Sequence, residues 1–167
     1  MEANKTFMPV LLDISEHKIL LIGGGESAYK KLKLLQRFTC NVDILALKVS
    51  DKIKTNGAKW KEKAYTKNAL KGYRIVYSCS NNQETDRQIV VDAHDLGLLV
   101  NIHDKPLQCD FISPAIYKNE DLTVSVGSNG KNVYQSIKIR DIIKEFLETK
   151  KISGPENPSI GCSIKWN

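Results

Sequence analysis

The 167-residue sequence has no apolar run near the ~18 residues that a transmembrane helix needs, and residues 1–5 contain no apolar core of a signal peptide. It therefore predicts a soluble, cytoplasmic protein without a membrane partner. Aromatic residues make up only 7%, and the 25 lysines and arginines are spread along the chain. Because no basic block is interleaved with aromatics, nucleic acid is not an expected partner. The net charge of +6 still favours a small anionic ligand.

The sequence also lacks a clear metal-binding pattern. No two of its four cysteines stand in a C-x-x-C spacing. His103 and Cys109 are near each other in the chain, but two ligands without a third and fourth are weak evidence for zinc. We therefore predict no metal site.

Apolar strands alternate with amphipathic helices along the chain. Residues 18–22 form a continuous apolar run before three glycines, which indicates a strand buried on both faces. Similar patterns predict strands at 41–47, 74–78, 98–101, 111–117 and 122–126, and helices at 26–38, 83–95 and 131–149. The segment 52–70 is harder to interpret, with a short strand near Trp60 and a short helix near Ala69. The alternation predicts an α/β fold, a Rossmann-like, doubly wound, mainly parallel sheet with a C-terminal hairpin and helix.

The segment between the first strand and the first helix fits the pattern G-x-G-x-x-A. Its residues are Gly23, Gly24, Gly25, Glu26, Ser27 and Ala28. In a dinucleotide site Gly23 allows the tight turn, Gly25 lets the backbone approach a pyrophosphate, and Ala28 lets helix and strand pack closely. The N–H groups at the helix start then meet the phosphate charge. The alternative is a glycine-rich turn without a ligand.

The end of the second strand bears on the choice of dinucleotide. A typical NAD site places an acidic residue there, about 20 residues after the glycines, to bind the ribose. In this chain the strand closes with Leu47 and Lys48, and no acid occupies that position. Lys48 is either a surface lysine or the partner of a 2′-phosphate. The missing acid weakens the case for a strict preference for NAD, so the sequence at this point leaves both NAD and NADP open.

Several segments resemble the precorrin-2 dehydrogenase module of siroheme synthases, in one collinear order over about residues 7–145. They are M-P-V-L-L-D at 8–13, the glycine segment with Lys31, V-N-I-H-D at 100–104, F-I-S-P-A at 111–115 and L-T-V-S-V at 122–126. The resemblance implies NAD-dependent oxidation of precorrin-2 to sirohydrochlorin on the route to siroheme. Some members of that family also insert ferrous iron. Precorrin-2 carries eight carboxylates, which suits a basic protein.

The resemblance also assigns residues to roles. It implies that Asp104 acts in catalysis as the general base, with His103 beside it either moving protons or standing as an exposed loop residue. It places Asn101, Asp104, Gly130 and Lys131 at the substrate. It implies that the cofactor is contacted by Gly23, Gly24, Gly25, Glu26, Ser27, Ala28, Leu47, Lys48, Ser78 and Ser80.

The domain organisation follows from the same resemblance. Residues 1–126 would form a Rossmann-type dinucleotide-binding domain with a substrate loop at 101–115. Residues 127–167 would form the C-terminal helix and a flexible tail, as a truncated dimerisation region. A homodimer is expected, with the hairpin at 111–126 and the last helix as candidate interfaces.

Two other functions remain alternatives at this point. One is a dinucleotide-binding regulatory module without turnover. The other is a tetrapyrrole chelatase, in which His103 and Asp104 would face the metal that is inserted.

Overall fold

A computed structural model describes residues 5–120 and 122–150. The predicted flexible tail lies outside the described residues. The chain packs as two compact units, a larger one from Leu11–Phe111 and a smaller one that comprises 5–10 and 112–150. The hairpin packs in the same unit as the last helix. The predicted functional boundary at residue 126 is a separate matter and stays a prediction.

The larger unit is a five-stranded parallel sheet. Its strands are β1 (Ile19–Ile22), β2 (Val42–Ala46), β3 (Lys59–Glu62), β4 (Ile75–Ser78) and β5 (Leu99–Ile102). Its helices are α1 (Glu26–Leu35), α2 (Asp51–Lys54) and α3 (Gln83–Asp95), with 3₁₀ turns at Lys67–Leu70 and Pro106–Gln108. The strand order is β3-β2-β1-β4-β5, and every neighbouring pair is parallel. This confirms the predicted Rossmann-like fold.

Burial of β1 on both faces explains why its sequence is apolar without alternation. All four of its residues are buried. Leu21 belongs to a cluster with Leu32 of α1 and Ile53 of α2, all of which are fully buried. Successive strand residues point to opposite faces, and α3 packs on β4 and β5, so Val76 and Val100 line the other layer. Helices thus cover both faces of the sheet, as a doubly wound fold requires.

One local prediction in this unit was wrong and one element was missed. The first helix ends at Leu35 rather than at residue 38, and Phe38, beyond its end, is 40% exposed. After Gln36 the backbone bonds shorten to i→i−3, since the N–H of Phe38 bonds the carbonyl of Leu35, and the chain turns towards β2. Helix α2 was not predicted, because four residues are too few to show a period. The strand near Trp60 and the helical turn near Ala69 are confirmed.

The smaller unit is an antiparallel hairpin with a helix packed on it. Its elements are β6 (Ala115–Asn119), β7 (Leu122–Val126) and α4 (Val133–Thr149). The strand predicted from residue 111 begins only at Ala115, because the preceding Pro114 has no N–H to give to a strand partner. Asn132 caps α4 by accepting the N–H of Gln135 at 2.9 Å. None of the helices in the described part of the chain is long and apolar enough to cross a bilayer.

Candidate active site

The carboxyl ends of the parallel strands bring most of the predicted site residues to one edge of the larger unit. Backbone bonds continue across this edge: the N–H of Gly23 bonds Leu45, and that of Cys79 bonds Ile22 at 2.7 Å. The N–H of His103 in turn bonds Ser78 at 2.8 Å. The loops after β1, β2, β4 and β5 therefore lie side by side, where ligands bind in such sheets.

Two of the three glycines are required by the packing of these loops. Gly23 has a φ of +134°, and a Cβ there would overlap the carbonyl oxygen of Cys79. A Cβ on Gly24 would overlap the carbonyl oxygen of Lys48, and the N–H of Ser50 bonds the carbonyl of Gly24 at 2.9 Å. The loop after β1 is thereby pressed between the loops that follow β2 and β4.

Gly25 differs from its two neighbours. Its φ of −93° is open to any residue, and a Cβ built there meets no protein atom within 4 Å. The protein itself therefore does not need glycine at this position. The open space lies at the start of α1 and leaves room there for another molecule to approach the backbone closely.

We expect Gly24→Ala to destabilise the fold and Gly25→Ala to leave it nearly unchanged. The added methyl at residue 24 overlaps a backbone carbonyl, so the loops must move apart, which costs on the order of 1–3 kcal/mol. The same methyl at residue 25 enters open space. Urea unfolding of the two variants measures the difference; equal midpoints would contradict the packing described here.

The start of α1 is suited to an anion. As the N-cap, Gly25 has no side chain with which to accept the N–H groups of the first turn. These groups and the helix dipole favour negative charge there. Glu26 does not oppose this, because its carboxylate turns to Lys52 at 2.9 Å. The hydrogen bond from Lys52 also holds the pKa of Glu26 below its usual value.

The end of β2 presents a lysine and an apolar side chain. Leu47 is 80% exposed, and Lys48 is exposed beside it. An acid, Glu62, reaches this region from the end of β3, in register with Ala46. Its carboxylate is already engaged, since it accepts the N–H of Val49 at 2.9 Å and pairs with Lys54 at 3.0 Å. The hydrogen bond from the backbone of Val49 makes the largest contribution to holding the pKa of Glu62 below its usual value, and the hydrogen bond from Lys54 makes the second.

Asp104 follows β5 and points its carboxylate into solvent. Its side chain is 85% exposed, and the nearest ring nitrogen, Nε2 of His103, is 3.4 Å from Oδ2. Its backbone is left-handed, with a φ of +57°. Asn101, three residues earlier in β5, is buried, and its side-chain amide donates a hydrogen bond to the carbonyl of Phe111 at 2.8 Å. The amide of Asn101 therefore fastens a loop, and its contact with substrate stays a prediction.

Beneath the loops lies a buried acid that the sequence analysis did not identify. Asp86 of α3 is 3% exposed and accepts hydrogen bonds from the hydroxyls of Ser78 and Ser80, each at 2.7 Å. It also accepts Lys105 Nζ at 2.7 Å. Burial alone would raise the pKa of Asp86, but the hydrogen bonds that it accepts hold the pKa below its usual value. The sequence signal that could have identified Asp86 is its position on the helix. It comes three residues before the inward-facing Ile89 and therefore lies on the same face of α3.

Ser78 and Ser80 thus have protein acceptors for their hydroxyl protons, and their contact with a cofactor stays a prediction. The neighbouring thiol of Cys79 has a pKa raised to about 11 by burial, so it is not a nucleophile at neutral pH. Lys31 lies over the ring of Tyr77, 4.9 Å from its centroid, and burial lowers its pKa. Among the described residues, no three His, Cys, Asp or Glu side chains are arranged to hold a metal.

Gly130 and Lys131, the other predicted substrate residues, belong to the smaller unit. Asn129 and Gly130 both have positive φ, +56° and +75°, which gives a tight turn before α4. The side chain of Asn129 accepts the N–H of Phe7 at 2.7 Å and donates to the carbonyl of Lys5 at 3.0 Å. The turn is therefore held firmly, with Lys131 exposed directly after it.

Residues 10–115 match a protein family described as "Putative NAD(P)-binding". Siroheme synthase 1 of Pectobacterium atrosepticum is 29% identical over 147 residues, which cover 86% of this chain and 30% of that protein. Siroheme synthase of Psychrobacter cryohalolentis is 32% identical over 127 residues, or 74% of this chain and 24% of that protein. The chain thus spans about a quarter to a third of the length of these relatives.

The fold also matches a solved structure. That structure, titled "SirC, precorrin-2 dehydrogenase", superposes with a TM-score of 0.70 at 18% sequence identity. The match covers 84% of this chain and 70% of that one.

Proposed function

The chain belongs to the NAD(P)-binding family that its residues 10–115 match, and from that premise we propose that it oxidises precorrin-2 to sirohydrochlorin, with NAD as the cofactor. The relatives named siroheme synthase and the fold of the precorrin-2 dehydrogenase SirC support this choice of reaction.

The observation that carries the proposal is the open space at Gly25. The chain keeps a residue without a side chain at the start of α1 although no atom of the protein requires it. A pyrophosphate there would meet the N–H groups of Glu26 and Ser27 and the positive end of the helix. Leu47 and Lys48 would flank the ribose. The residues present therefore fit a dinucleotide.

The reaction removes a hydride and a proton from the macrocycle. The dinucleotide, when bound, supplies the hydride acceptor. Asp104 is the group proposed to take the proton, because its exposed carboxylate stands beyond β5 at the ligand edge of the sheet. His103, 3.4 Å from that carboxylate, then passes the proton to solvent. The net charge of +6, with Lys131 and Gly130 as predicted substrate residues, suits a ligand with eight carboxylates.

An anaerobic assay of the purified protein with precorrin-2, with NAD and NADP supplied separately, tests the proposal. We expect sirohydrochlorin to form with NAD, and the NADP arm measures what Lys48 contributes. Dinucleotide binding without product would overturn the enzyme and favour the regulatory module. Metal insertion into sirohydrochlorin without any need for NAD would favour the chelatase instead.

A homodimer is part of the proposal. Helix α4 exposes Ile139, Ile142 and Phe146 at 40%, 58% and 54%, and their i, i+3, i+7 spacing places them along one stripe. An apolar stripe of this kind suits a second copy of the chain. The proposed reaction is a cytoplasmic one that involves neither nucleic acid nor membrane.

We expect Ile142→Asp to shift the protein from dimer to monomer, because it would bury a charge in the apolar interface. Sedimentation velocity measures the change, with Lys144→Asp, on the opposite side of α4, as the control that stays dimeric. A monomeric unsubstituted protein would refute this part of the proposal.

A further inference from the structure

We propose that Asp86 and Lys105 act together as positioning residues that hold Asp104 in place for proton transfer. This inference rests on the proposed function, since it concerns the same carboxylate. Lys105 lies in the loop that follows β5 and Asp86 is buried beneath it, and both act on Asp104 through the backbone of that loop.

The two oxygens of Asp86 join two different loops. Oδ1 accepts the hydroxyls of Ser78 at the end of β4 and of Ser80 just beyond it. Oδ2 accepts the ammonium of Lys105, in the loop after β5, at 2.7 Å. The carboxylate, with 4% of its side chain exposed, is thus a buried link between the loops of neighbouring strands.

Both neighbours of Asp104 are anchored. The N–H of His103 bonds the carbonyl of Ser78 at 2.8 Å. The N–H of Lys105 bonds Ile102 at 3.2 Å, and the carbonyl of Lys105 accepts the thiol of Cys109 at 3.2 Å. Asp104 is the single residue between these anchors and has left-handed backbone geometry, with a φ of +57°. The anchors keep Asp104 in a conformation that is uncommon for residues other than glycine, although aspartate and asparagine adopt it more readily than most.

A purely stabilising role does not explain this pair. Lys105 keeps 34% of its side chain in solvent while the Asp86 carboxylate loses its water, so the cost of burying that carboxylate largely offsets the attraction between the two charges. What Asp86 and Lys105 add is a defined geometry. The ammonium must donate a hydrogen bond to one carboxylate oxygen while two hydroxyls donate to the other. This geometry fixes where the loop after β5 lies.

Kinetics of Lys105→Met, Asp86→Asn and the double variant test the proposal. We expect each single variant to lower kcat for precorrin-2 oxidation by roughly 10- to 100-fold, as misplacement of a catalytic group by about 1 Å does. In Lys105→Met the affinity for NAD should change by less than about threefold, since the glycine loop is untouched and Ser78 and Ser80 keep Asp86 as their acceptor. The double variant should be no slower than the worse single one, because both break the same link.

Two further variants separate positioning from general stability. Lys105→Arg keeps the charge and should restore most of kcat. Lys67→Met removes a surface ion pair with Asp95, 2.6 Å long, and should leave kcat unchanged. Unaltered kcat in Lys105→Met, or an equal loss in Lys67→Met, would overturn the proposal.

Hydrogen exchange of the backbone amides of residues 102–105, 107 and 108 gives a readout that does not depend on turnover. We expect faster exchange in Lys105→Met and not in Lys67→Met. If the unsubstituted protein fails to oxidise precorrin-2, the proposed function fails, while this measurement still tests the link itself. Equal exchange rates in all variants would show that Asp86 and Lys105 do not hold the loop.

Discussion

Gly25→Asp is expected to abolish dinucleotide binding without unfolding the protein. Residue 25 has a φ of −93° and open space around its Cβ position, so the fold accepts a side chain there. In the complex, however, the new carboxylate would occupy the space proposed for the pyrophosphate and repel its charge. A like-charge contact of this kind costs several kcal/mol, so we expect the Kd for NAD to rise by about 100-fold or more.

Calorimetric titration with NAD, together with urea unfolding, measures both halves of this expectation. Gly127→Asp is the matched control: Gly127 also has open space at its Cβ position and follows β7 in the smaller unit. It introduces the same charge and should leave the affinity for NAD unchanged. An unaltered affinity in Gly25→Asp would remove the glycine loop from the binding site.

Asp104→Asn is the second substitution with a large expected effect. It removes the proposed proton acceptor and keeps the shape of the side chain. Asparagine also tolerates the left-handed backbone that residue 104 adopts, whereas alanine would add strain. Because a positioned general base contributes roughly 10²–10⁴-fold, we expect kcat to fall by that amount. The affinity for NAD should stay the same, since Asp104 lies outside the glycine loop.

Steady-state assays with precorrin-2 and a separate NAD titration distinguish these two effects. Asp95→Asn provides the control, because Asp95 ends α3 at the edge of the sheet away from the site and is also exposed. It should retain full activity. Full activity in Asp104→Asn would mean that another group takes the proton.

Most of the larger unit was predictable because its signals are local. The apolar run at β1 indicated a strand buried on both faces, and all four residues are buried. The helix predicted at 83–95 is α3, which runs from Gln83 to Asp95 as expected and buries Ile89 and Ala93. The order G-x-G-x-x-A after β1 placed the glycine loop at the ligand edge. In each case the pattern lies within about a dozen residues.

Errors and omissions arose where the local signal is too weak or the deciding contact is distant in the chain. The end of α1 depends on the turn into β2, not on the helical period, so the helix was wrongly extended to Phe38. Helix α2 is four residues long and is marked by one buried side chain, that of Ile53. The role of Asp86 could not be derived because its strongest partner, Lys105, is 19 residues away.

The sequence by itself determined the fold class and the position of the glycine loop, and it predicted the edge of the sheet at which a ligand would bind. The spacing of apolar residues indicates which side chains are buried, and the run of glycines marks the turn between the first strand and the first helix. Only the tertiary structure decided that Gly24 is required by the carbonyl of Lys48 while Gly25 is not, and that Glu26 turns to Lys52. The physical reason is that periodicity reports burial but not the partner. Partners are chosen when the packed sheet brings loops that are far apart in the chain to one edge.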